Sequence, residues 1–355
     1  MTVPLVSIVI SNHNYARFLR RSIDSALAQT YPRSEVIVVD DASTDDSREI
    51  ITSYGTKIGA VLEKRNGGQG SAMNAGFAAS HGEIIVFLDS DDWLYPHAVE
   101  RVAPAFGTGI AVVQYRLHLV DPAGKIQDLY PAPEIAFDSG DVVPRLLKFG
   151  RYENTVTSGN AFSRSVLQQI MPVPAAEFRI AADGYLVATA PLYGRVLSLD
   201  EPLGAYCQHG ANSFAFPIVA DSKALGARLR LSLDHNAAQY RALAQKAEEL
   251  GLSPNPNLGS RDPHHLASRI GSLCVDPVKH PYPDDKRLAL SLQAIAGIAE
   301  ARLPWKRRAV LGLWFLSLGI LPRPLASLVV SWRLAPKSRP MAVDKLLKLA
   351  RRATR

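Results

Sequence analysis

Three short apolar runs near the start of the chain each end in polar or acidic residues, and this pattern constrains the fold more than any other feature. Segments with helical spacing separate the runs, as expected when strands alternate with helices. Apolar runs are typical of strands covered on both faces, so the pattern predicts an α/β fold with a mostly parallel sheet. The carboxyl ends of parallel strands meet at one edge, where such sheets bind ligands. The runs are Leu5–Ile10, Glu35–Val39 and Ile84–Leu88, and they are followed by Asn12 and Asn14, Asp40 and Asp41, and Asp89 and Asp91.

The second half of the chain has a different pattern. Long helices are predicted at 220–250 and 286–302, whereas the proline-rich stretch 251–285, with the adjacent His264 and His265, is predicted as loop. We therefore predict three parts: a sheet domain at 1–215, a helical extension at 216–302 and a basic, apolar segment at 303–355.

The positive charge of the chain lies almost entirely at its C-terminal end. The net charge is +7, but residues 301–355 contain thirteen Lys or Arg and one acid, so the remainder carries −5. A nucleic-acid-binding body would show a basic face. We therefore expect no nucleic-acid partner.

The segment at 303–355 combines apolar runs with these cations. Ala309–Leu321 is uncharged, but its thirteen residues are fewer than the roughly twenty that a membrane-spanning helix needs. Pro322–Pro324 separates it from a second run, Leu325–Trp332. We predict in-plane attachment to the inner face of a membrane, with Trp314 and Trp332 at headgroup level. The alternative is a helical pair packed on the body, followed by a solvated basic tail.

The cysteines and the N-terminus indicate a cytoplasmic protein. Cys207 and Cys274 are too few and too far apart for a disulfide framework or a thiolate zinc site, and we expect two reduced structural thiols. The chain begins without a basic segment or a cleavage site ahead of its first apolar run, so secretion is not expected.

An Asp-x-Asp pair, Asp89 and Asp91, follows the third apolar run, with Asp92 directly after it. Mg²⁺ and Mn²⁺ bind carboxylate oxygens, commonly one or two of them together with phosphate oxygens and water. Clustered acids also repel one another, and a bound cation would relieve that repulsion. The pair alone is a weak signal because surface turns are rich in Asp.

Further motifs make the pattern specific. Val38–Asp45 ends the second run with acids, and Lys64–Gly68 and Ala72–Gly76 place Gly and Asn before and within a predicted helix. In order and spacing these motifs resemble the family 2 glycosyltransferases, and the resemblance runs from Val6 to about Ser213. It implies a Rossmann-like, A-type nucleotide-sugar transferase fold for the first predicted domain. It also implies a nucleotide-sugar donor and Mn²⁺ or Mg²⁺ as cofactor.

The resemblance implies roles for individual residues. Asp40 would bind the base of the donor, Asp89 would lie near the ribose and the cation, and Asp91 would ligate the cation directly. The first loop usually reads Pro-Thr-Tyr-Asn in the family, and here His13 replaces the aromatic residue. The alternative to nucleotide binding is that the polar residues of this loop only stabilise an ordinary turn. The other residues implied at the nucleotide pocket are Asn12, His13, Asn14, Lys64, Arg65, Asn74 and Ser90.

Two later segments resemble the family's catalytic half. Phe178–Leu186 is similar to the segment whose Asp deprotonates the acceptor, which makes Asp183 the implied base, although Ala182 stands where Glu is commoner. The alternative for that residue is a helix-capping Asp. Tyr206–Ser213 is similar to the family's Tyr-Arg-x-His segment, with Cys in place of Arg, and it implies that His209 approaches the cation. A buried structural histidine is the alternative.

The implied reaction is inverting transfer of a single sugar, by default from a UDP-sugar, to a saccharide or lipid-linked acceptor in surface polysaccharide or glycolipid synthesis. Polymerising synthases usually add several membrane spans and a Gln-x-x-Arg-Trp motif, which this sequence lacks. A nucleotidyltransferase would usually need a Gly-rich phosphate loop, and residues 11–17 lack those glycines. A catalytically degenerate binding protein is the third alternative, and the presence of all four implied acids argues against it.

Overall fold

The computed structural model describes residues 3–210, 212, 221–300, 303–334 and 340–341. Most of the predicted basic tail and the end of the segment that resembles Tyr-Arg-x-His lie outside the described residues. The chain forms two compact units, and the predicted three-part division stays a prediction. The first unit consists of Met1–Leu146, Tyr152–His209 and Ala242–Ser253, and the second of Leu147–Arg151, Gly210–Arg241 and Pro254–Arg355.

One mixed sheet runs through the first unit. The strands found in the described residues are β1 (Val6–Asn12), β2 (Ser34–Asp40), β3 (Gly59–Leu62), β4 (Ile84–Asp89), β5 (Trp93–Leu94), β6 (Ile110–Val120), β7 (Ile126–Tyr130), β8 (Asn160–Ser163) and β9 (Arg195–Cys207). Their spatial order is β3-β2-β1-β4-β8-β6-β9-β5, with β7 paired to β6. The first four strands pair in parallel, whereas β8 is antiparallel to both β4 and β6.

Helices flank the sheet and also form a helical C-terminal region, as the α/β prediction requires. In chain order they are α1 (Ala16–Leu27), α2 (Ser47–Ser53), α3 (Gln69–Ala79), α4 (Ala98–Val102), α5 (Val143–Phe149), α6 (Arg164–Ile170), α7 (Asp183–Thr189), α8 (Ser222–Glu249), α9 (Pro263–Val275), α10 (Arg287–Glu300), α11 (Trp305–Ile320) and α12 (Arg323–Leu334). Short 3₁₀ turns lie at Gly55–Lys57, Ala103–Ala105, Thr157–Gly159, Ala190–Tyr193 and Pro277–Lys279.

The apolar runs of the sequence are the parallel strands at the centre of the sheet. On one face Ile8 and Ile10 of β1 share a buried cluster with Leu19 and Ile23 of α1. On the opposite face α3 comes so close to β1 that a Cβ on Gly76 would stand 2.2 Å from Val9 Cγ1. Both faces are therefore covered, which explains why these strands carry few polar residues.

The parallel register brings the predicted polar strand ends together. Asn12 of β1 lies opposite Asp40 of β2, and the preceding Ser11 lies opposite Asp89 of β4. Three strand ends are thus neighbours at the carboxyl edge of the sheet. The prediction of one shared edge for these residues is confirmed.

The second unit is helical and has its own core. Leu225 and Leu229 of α8 pack in one buried cluster with Ile270 of α9, Phe315 of α11 and Val330 of α12. Cys274 is buried in this cluster, and Cys207 is buried in the first unit. None of the helices in the described part of the chain is long and apolar enough to cross a membrane.

The prediction of a loop across 251–285 is wrong, because α9 lies within it. Pro263 occupies the first turn of α9, a position where its missing N–H costs nothing. Asp262 caps the helix by accepting a hydrogen bond from the His264 backbone N–H at 2.9 Å. His264 and His265 are therefore helical, and His265 is buried. Proline density alone suggested a loop where one proline in fact starts a helix.

Ser43 follows β2 but does not cap the next helix. The helix α2 begins only at Ser47. The Ser43 hydroxyl instead accepts hydrogen bonds from Asn12 Nδ2 (3.2 Å) and from the Asn14 backbone N–H (2.9 Å). It therefore joins the loops after β1 and β2.

Candidate active site

The end of β4 and the turn after it contain three acids, Asp89, Asp91 and Asp92. The buried Asp92 carboxylate accepts hydrogen bonds from Ser158 Oγ (2.6 Å) and from the Cys207 backbone N–H (2.9 Å). The Asp92 backbone N–H donates to the Asp89 carbonyl oxygen at 3.0 Å. These contacts tie the turn to the segment before β8 and to the end of β9, and so fix the position of Asp91.

Gln69, the first residue of α3, links the end of β4 to the loop before α7. Its Nε2 donates to Asp89 Oδ1 (2.8 Å), and its Oε1 accepts from the Ala182 backbone N–H (2.9 Å). Its own backbone N–H donates to the Arg179 carbonyl oxygen (2.8 Å), and a Cβ on Gly68 would stand 2.6 Å from that same oxygen. A single side chain therefore sets the spacing between the segment of the predicted cation ligand and that of the predicted base.

Asp183 is the first residue of α7 and follows a strained turn. Ala181 has a φ of 54°, in the left-handed region that residues with a Cβ rarely adopt, so its surroundings must hold it there. Burial raises the pKa of Asp183 to about 6, while hydrogen bonds from the Gly184 N–H and from Thr157 work in the opposite direction. At neutral pH this carboxylate is an anion that can accept a proton.

These acids share one electrostatic environment. Burial, followed by the negative charges of Asp91 and Asp183, raises the pKa of Asp89 to about 8, although hydrogen bonds from Thr157 and Gln69 act in the opposite direction. Burial, followed by the charges of Asp91 and Asp89, also raises the pKa of Asp92 well above its ordinary value. The structure thus brings Asp89, Asp91 and Asp183 together, and their repulsion favours any cation that binds among them.

His209 holds Asp91 from one side. Its Nε2 lies 2.9 Å from Asp91 Oδ2, and its Nδ1 lies 3.2 Å from a guanidinium nitrogen of Arg17. A guanidinium can only donate, so Nδ1 accepts and Nε2 carries the proton that is donated to Asp91. The ring stacks on Phe18 with centroids 4.6 Å apart. His209 therefore orients Asp91 here, and its predicted approach to a cation stays a prediction.

Asp40, at the end of β2, has a different environment from the acids of β4. Its buried carboxylate accepts hydrogen bonds from Asn12 Nδ2 (3.0 Å), the Ser43 backbone N–H (3.1 Å) and Arg48 Nε (3.0 Å). A cation of the protein itself thus pairs with this acid. The contact of Asp40 with a donor base stays a prediction.

The loop after β1 has the turn chemistry that was the alternative reading for it. His13 Nδ1 donates to the Asp41 carbonyl oxygen at 2.7 Å. Asn14 has a φ of 58°, and its Oδ1 accepts from the Thr44 backbone N–H at 2.7 Å. Asn12 Oδ1, by contrast, is a buried acceptor without a hydrogen-bond donor. Nucleotide contacts of these three residues stay predictions.

The four remaining predicted pocket residues lie in three different surroundings. Lys64 and Arg65 are exposed just beyond β3, at the same edge of the sheet as Asp40. Asn74 instead makes two hydrogen bonds to the backbone of Val173. Its Nδ2 donates to the carbonyl oxygen (2.9 Å), and its Oδ1 accepts from the N–H (2.8 Å). This contact gives Asn74 a structural task. Ser90 is buried in the turn after β4, and the nucleotide contacts of all four residues stay predictions.

Several residues at this edge were not among the predicted site residues. Asp92 could have been found, because it directly follows the Asp-x-Asp pair. Gln69, Thr157 and Arg17 had no such signal. Gln69 and Thr157 contact the acids from distant parts of the chain, and Arg17 contacts His209, which in turn contacts Asp91. Only the folded structure relates them to the site.

The donor set at the end of β4 fits a divalent cation. The carboxylates of Asp89 and Asp92 are hard oxygen ligands, and burial together with the charges of neighbouring acids raises their pKa values, so a nearby cation would stabilise their ionised forms. Across the described residues, no group of three or more His, Cys, Asp or Glu side chains is arranged to hold a metal ion by itself. A cation here would therefore take further ligands from phosphate or water, as Mg²⁺ usually does.

Comparison with known proteins gives a consistent family assignment. Residues 7–169 match the model of glycosyl transferase family 2. An uncharacterized glycosyltransferase of Nostoc sp. is 39% identical over 215 residues, which are 59% of this chain and 66% of the relative. Hyaluronan synthase of Pasteurella multocida is 40% identical over 139 residues, 38% of this chain and 14% of that enzyme. The chain thus spans less than two thirds of these relatives.

A solved structure shows the same fold at low sequence identity. The crystal structure of residues 1–349 of S. aureus TarS in complex with UDP-GlcNAc matches with a TM-score of 0.50 and 17% identity, over 93% of this chain and 91% of that chain. The family match identifies residues 7–169 of this chain as a glycosyl transferase family 2 segment.

Proposed function

We propose that this protein is a metal-dependent glycosyltransferase that moves a single sugar from a nucleotide-diphosphate donor to an acceptor hydroxyl with inversion. The observation that carries the proposal is the convergence of Asp89, Asp91 and Asp183 at one edge of the sheet. Such a cluster supplies both ligands for a cation and a carboxylate free to act as base.

The donor is proposed to be a UDP-sugar. TarS, which has a similar fold, is described in complex with UDP-GlcNAc. In this chain the base of the nucleotide would meet the ends of β1 and β2, where Asn12 and Asp40 lie. The unsatisfied Asn12 Oδ1 is an acceptor that a donor N–H could reach. Lys64 and Arg65 supply nearby positive charge for phosphates.

Asp89 and Asp91 would hold the cation, Mn²⁺ or Mg²⁺. When bound, it neutralises charge on the departing diphosphate, so no protonated acid is needed on that side. His209 keeps Asp91 in one orientation through its Nε2–H. Gln69 keeps Asp89 at a fixed spacing from the loop that precedes α7.

Asp183 would take the proton of the acceptor hydroxyl. The acceptor oxygen forms a bond to the anomeric carbon while the bond from that carbon to the diphosphate oxygen breaks. Because the base and the leaving group stand on opposite faces of the sugar, one such displacement inverts the anomeric configuration. A carboxylate base in this role typically contributes 10²–10⁴-fold to the rate.

The acceptor is proposed to be a saccharide or a lipid-linked saccharide used in surface polysaccharide or glycolipid synthesis. The basic C-terminal segment supports this choice, because a peripheral contact with the inner face of a membrane would place the enzyme where such acceptors are found.

Thermal unfolding with UDP, GDP and dTDP, each with and without Mn²⁺, tests the donor and the metal together. We expect UDP with Mn²⁺ to raise the Tm and the other combinations to have little effect, because only ligands that bind the native state stabilise it. No stabilisation by any nucleotide with metal would contradict the proposal. Product analysis with a UDP-sugar then separates one added sugar from a polymer.

A further inference from the structure

Helix α11 has apolar residues on two opposite faces. On one face, Phe315 and Leu318 are buried in the core of the second unit. On the other, Trp305, Leu313 and Ile320 are 75%, 67% and 64% exposed. A surface helix normally turns a polar face to water, and a helix that is apolar all round is normally covered on every side.

The exposed residues form one stripe, which we call the α11 outer face. Steps of three or four residues keep side chains on the same side of a helix. The α11 outer face consists of Trp305, Ala309, Leu313, Leu316 and Ile320, all of them exposed.

Helix α10 extends this surface. Gly319 of α11 packs so closely on α10 that a Cβ there would stand 3.0 Å from Ser291 Oγ and 3.3 Å from the Leu288 Cα. Leu288 and Leu292, one turn apart on α10, are both exposed. The exposed leucines of α10 therefore begin next to the Ile320 end of the α11 outer face.

The charged residues of the segment 303–334, which contains α11, are all positive. Residues 303–334 contain five cations and no Asp or Glu. Lys306, Arg307 and Arg308 lie in the first turn of α11, directly after Trp305. Trp at the boundary between apolar and charged residues is typical of helices that lie in a membrane interface.

We propose that the α11 outer face is a docking surface for an anionic lipid bilayer, with α11 lying in the plane of the interface. Its apolar residues would enter the acyl boundary, and the cations would meet anionic headgroups, each close cation contributing about fivefold to the affinity. The proposal rests on the peripheral contact included in the proposed function. Its tests need neither donor nor acceptor, so the two can fail separately.

A second copy of this chain is a poorer occupant on electrostatic grounds. A two-fold interface brings the same patch of both subunits together. The cations in the first turn of α11, Lys306, Arg307 and Arg308, would then approach the same cations of the other copy, with no acid from residues 303–334 between them. An anionic lipid surface is complementary instead.

The structure also changes which tryptophan meets the lipid. Trp314, predicted at headgroup level, packs against the core, with its ring 4.8 Å from Phe315 and the Arg333 guanidinium 4.2 Å from its centroid. Trp305 is the exposed indole of α11.

Vesicle sedimentation of the full chain tests the surface. We expect binding to vesicles of equal parts phosphatidylcholine and phosphatidylglycerol, and much weaker binding to phosphatidylcholine alone. Leu313→Gln with Leu316→Gln should weaken binding more than about tenfold, and Lys306→Gln about fivefold. Val278→Gln, an exposed apolar residue on a different element of the same unit, should leave binding unchanged.

Quenching of tryptophan fluorescence by brominated lipids identifies the residue that enters the bilayer. Trp305→Phe should remove most of the quenching, and Trp314→Phe should retain it. The proposal is overturned if the wild-type chain does not bind the anionic vesicles. It is also overturned if the double Leu variant binds them normally but converts a dimer to a monomer, because the face is then an interface between copies.

Discussion

Two carboxylates of this protein are held in opposite ways. Asp262 in the second unit is buried and caps α9, and Arg151 Nε lies 2.7 Å from its Oδ2. Burial favours its protonated form, but Arg151, His264 and the hydroxyl of Tyr240 together lower its pKa. Asp89 in the first unit is half-buried, and burial together with the charges of Asp91 and Asp183 raises its pKa to about 8.

This difference separates a structural acid from a ligand-binding acid. The second unit supplies the countercharge of Asp262 from its own side chains, so the native state is complete without a ligand. At the end of β4, by contrast, the charges of Asp91 and Asp183 add to the negative charge around Asp89. Repulsion of this kind is a feature of functional sites, where a ligand provides the missing charge. The comparison therefore predicts opposite consequences when either acid, or a neighbour, is changed.

The largest expected effect is on the first unit's base. Asp183→Asn should lower the transfer rate about 10³-fold, because an amide cannot accept the proton of the acceptor. Binding of nucleotide with Mn²⁺ should persist, since the substituted group is not a predicted ligand. Steady-state transfer and nucleotide titration measure the two properties. Asp46→Asn, an exposed acid in the loop after β2, is the matched control. Full transfer by Asp183→Asn would remove the base assignment.

The acid of the second unit should affect stability instead. Asp262→Asn should lower the free energy of unfolding by about 3 kcal/mol, because it leaves the Arg151 charge poorly paired. Denaturant unfolding measures the loss, and the exposed Asp284→Asn serves as control. A loss no larger than that of the control would show that the Asp262 pair does not stabilise the fold.

The link between the two catalytic segments should have a smaller effect on rate. Gln69→Ala removes both amide contacts, and we expect kcat to fall about tenfold with less change in the KM for donor, because misplacement of reacting groups is costly. Gln69→Asn, whose shorter side chain cannot span the same gap, should resemble Ala. If kcat is unchanged and only the Tm falls, Gln69 has a purely structural role.

The smallest effect concerns stability against pH without metal. In the native state Asp89 keeps its proton up to about pH 8, whereas in the unfolded chain it loses the proton near its ordinary value of 3.8. Between these values the native state binds more protons, so the free energy of unfolding should fall as pH rises, by about 1 kcal/mol per pH unit. Asp89→Asn should flatten this slope. Asp262 acts in the opposite sense, since stability from a lowered pKa is lost only as pH falls.

The sequence predicts the parallel half of the sheet because the physical signal there is local. Continuous apolar runs such as Ile84–Leu88 occur where both faces of a strand are covered, and the acids after them must then share an edge. The extension of β6 to Val120 and its pairing with β8 and β9 were not predictable in the same way, since they depend on contacts between distant segments.

The candidate site divides along the same line. Asp89, Asp91 and Asp183 are recognisable from motifs, whereas Gln69 acts only through its contacts in the folded chain. Asn74 shows the converse, because its motif position suggests a pocket residue but its amide is bonded to the Val173 backbone. A motif predicts which residues could line a site, whereas tertiary packing decides which way each side chain points.

The most direct test of this account is calorimetric titration of Mn²⁺ into the protein in the presence of UDP. The wild-type chain should bind Mn²⁺, Asp91→Asn should lose at least about 10²-fold in affinity, and Asp46→Asn should bind normally. Unchanged Mn²⁺ affinity in Asp91→Asn would contradict the claim that the acids at the end of β4 hold a cation.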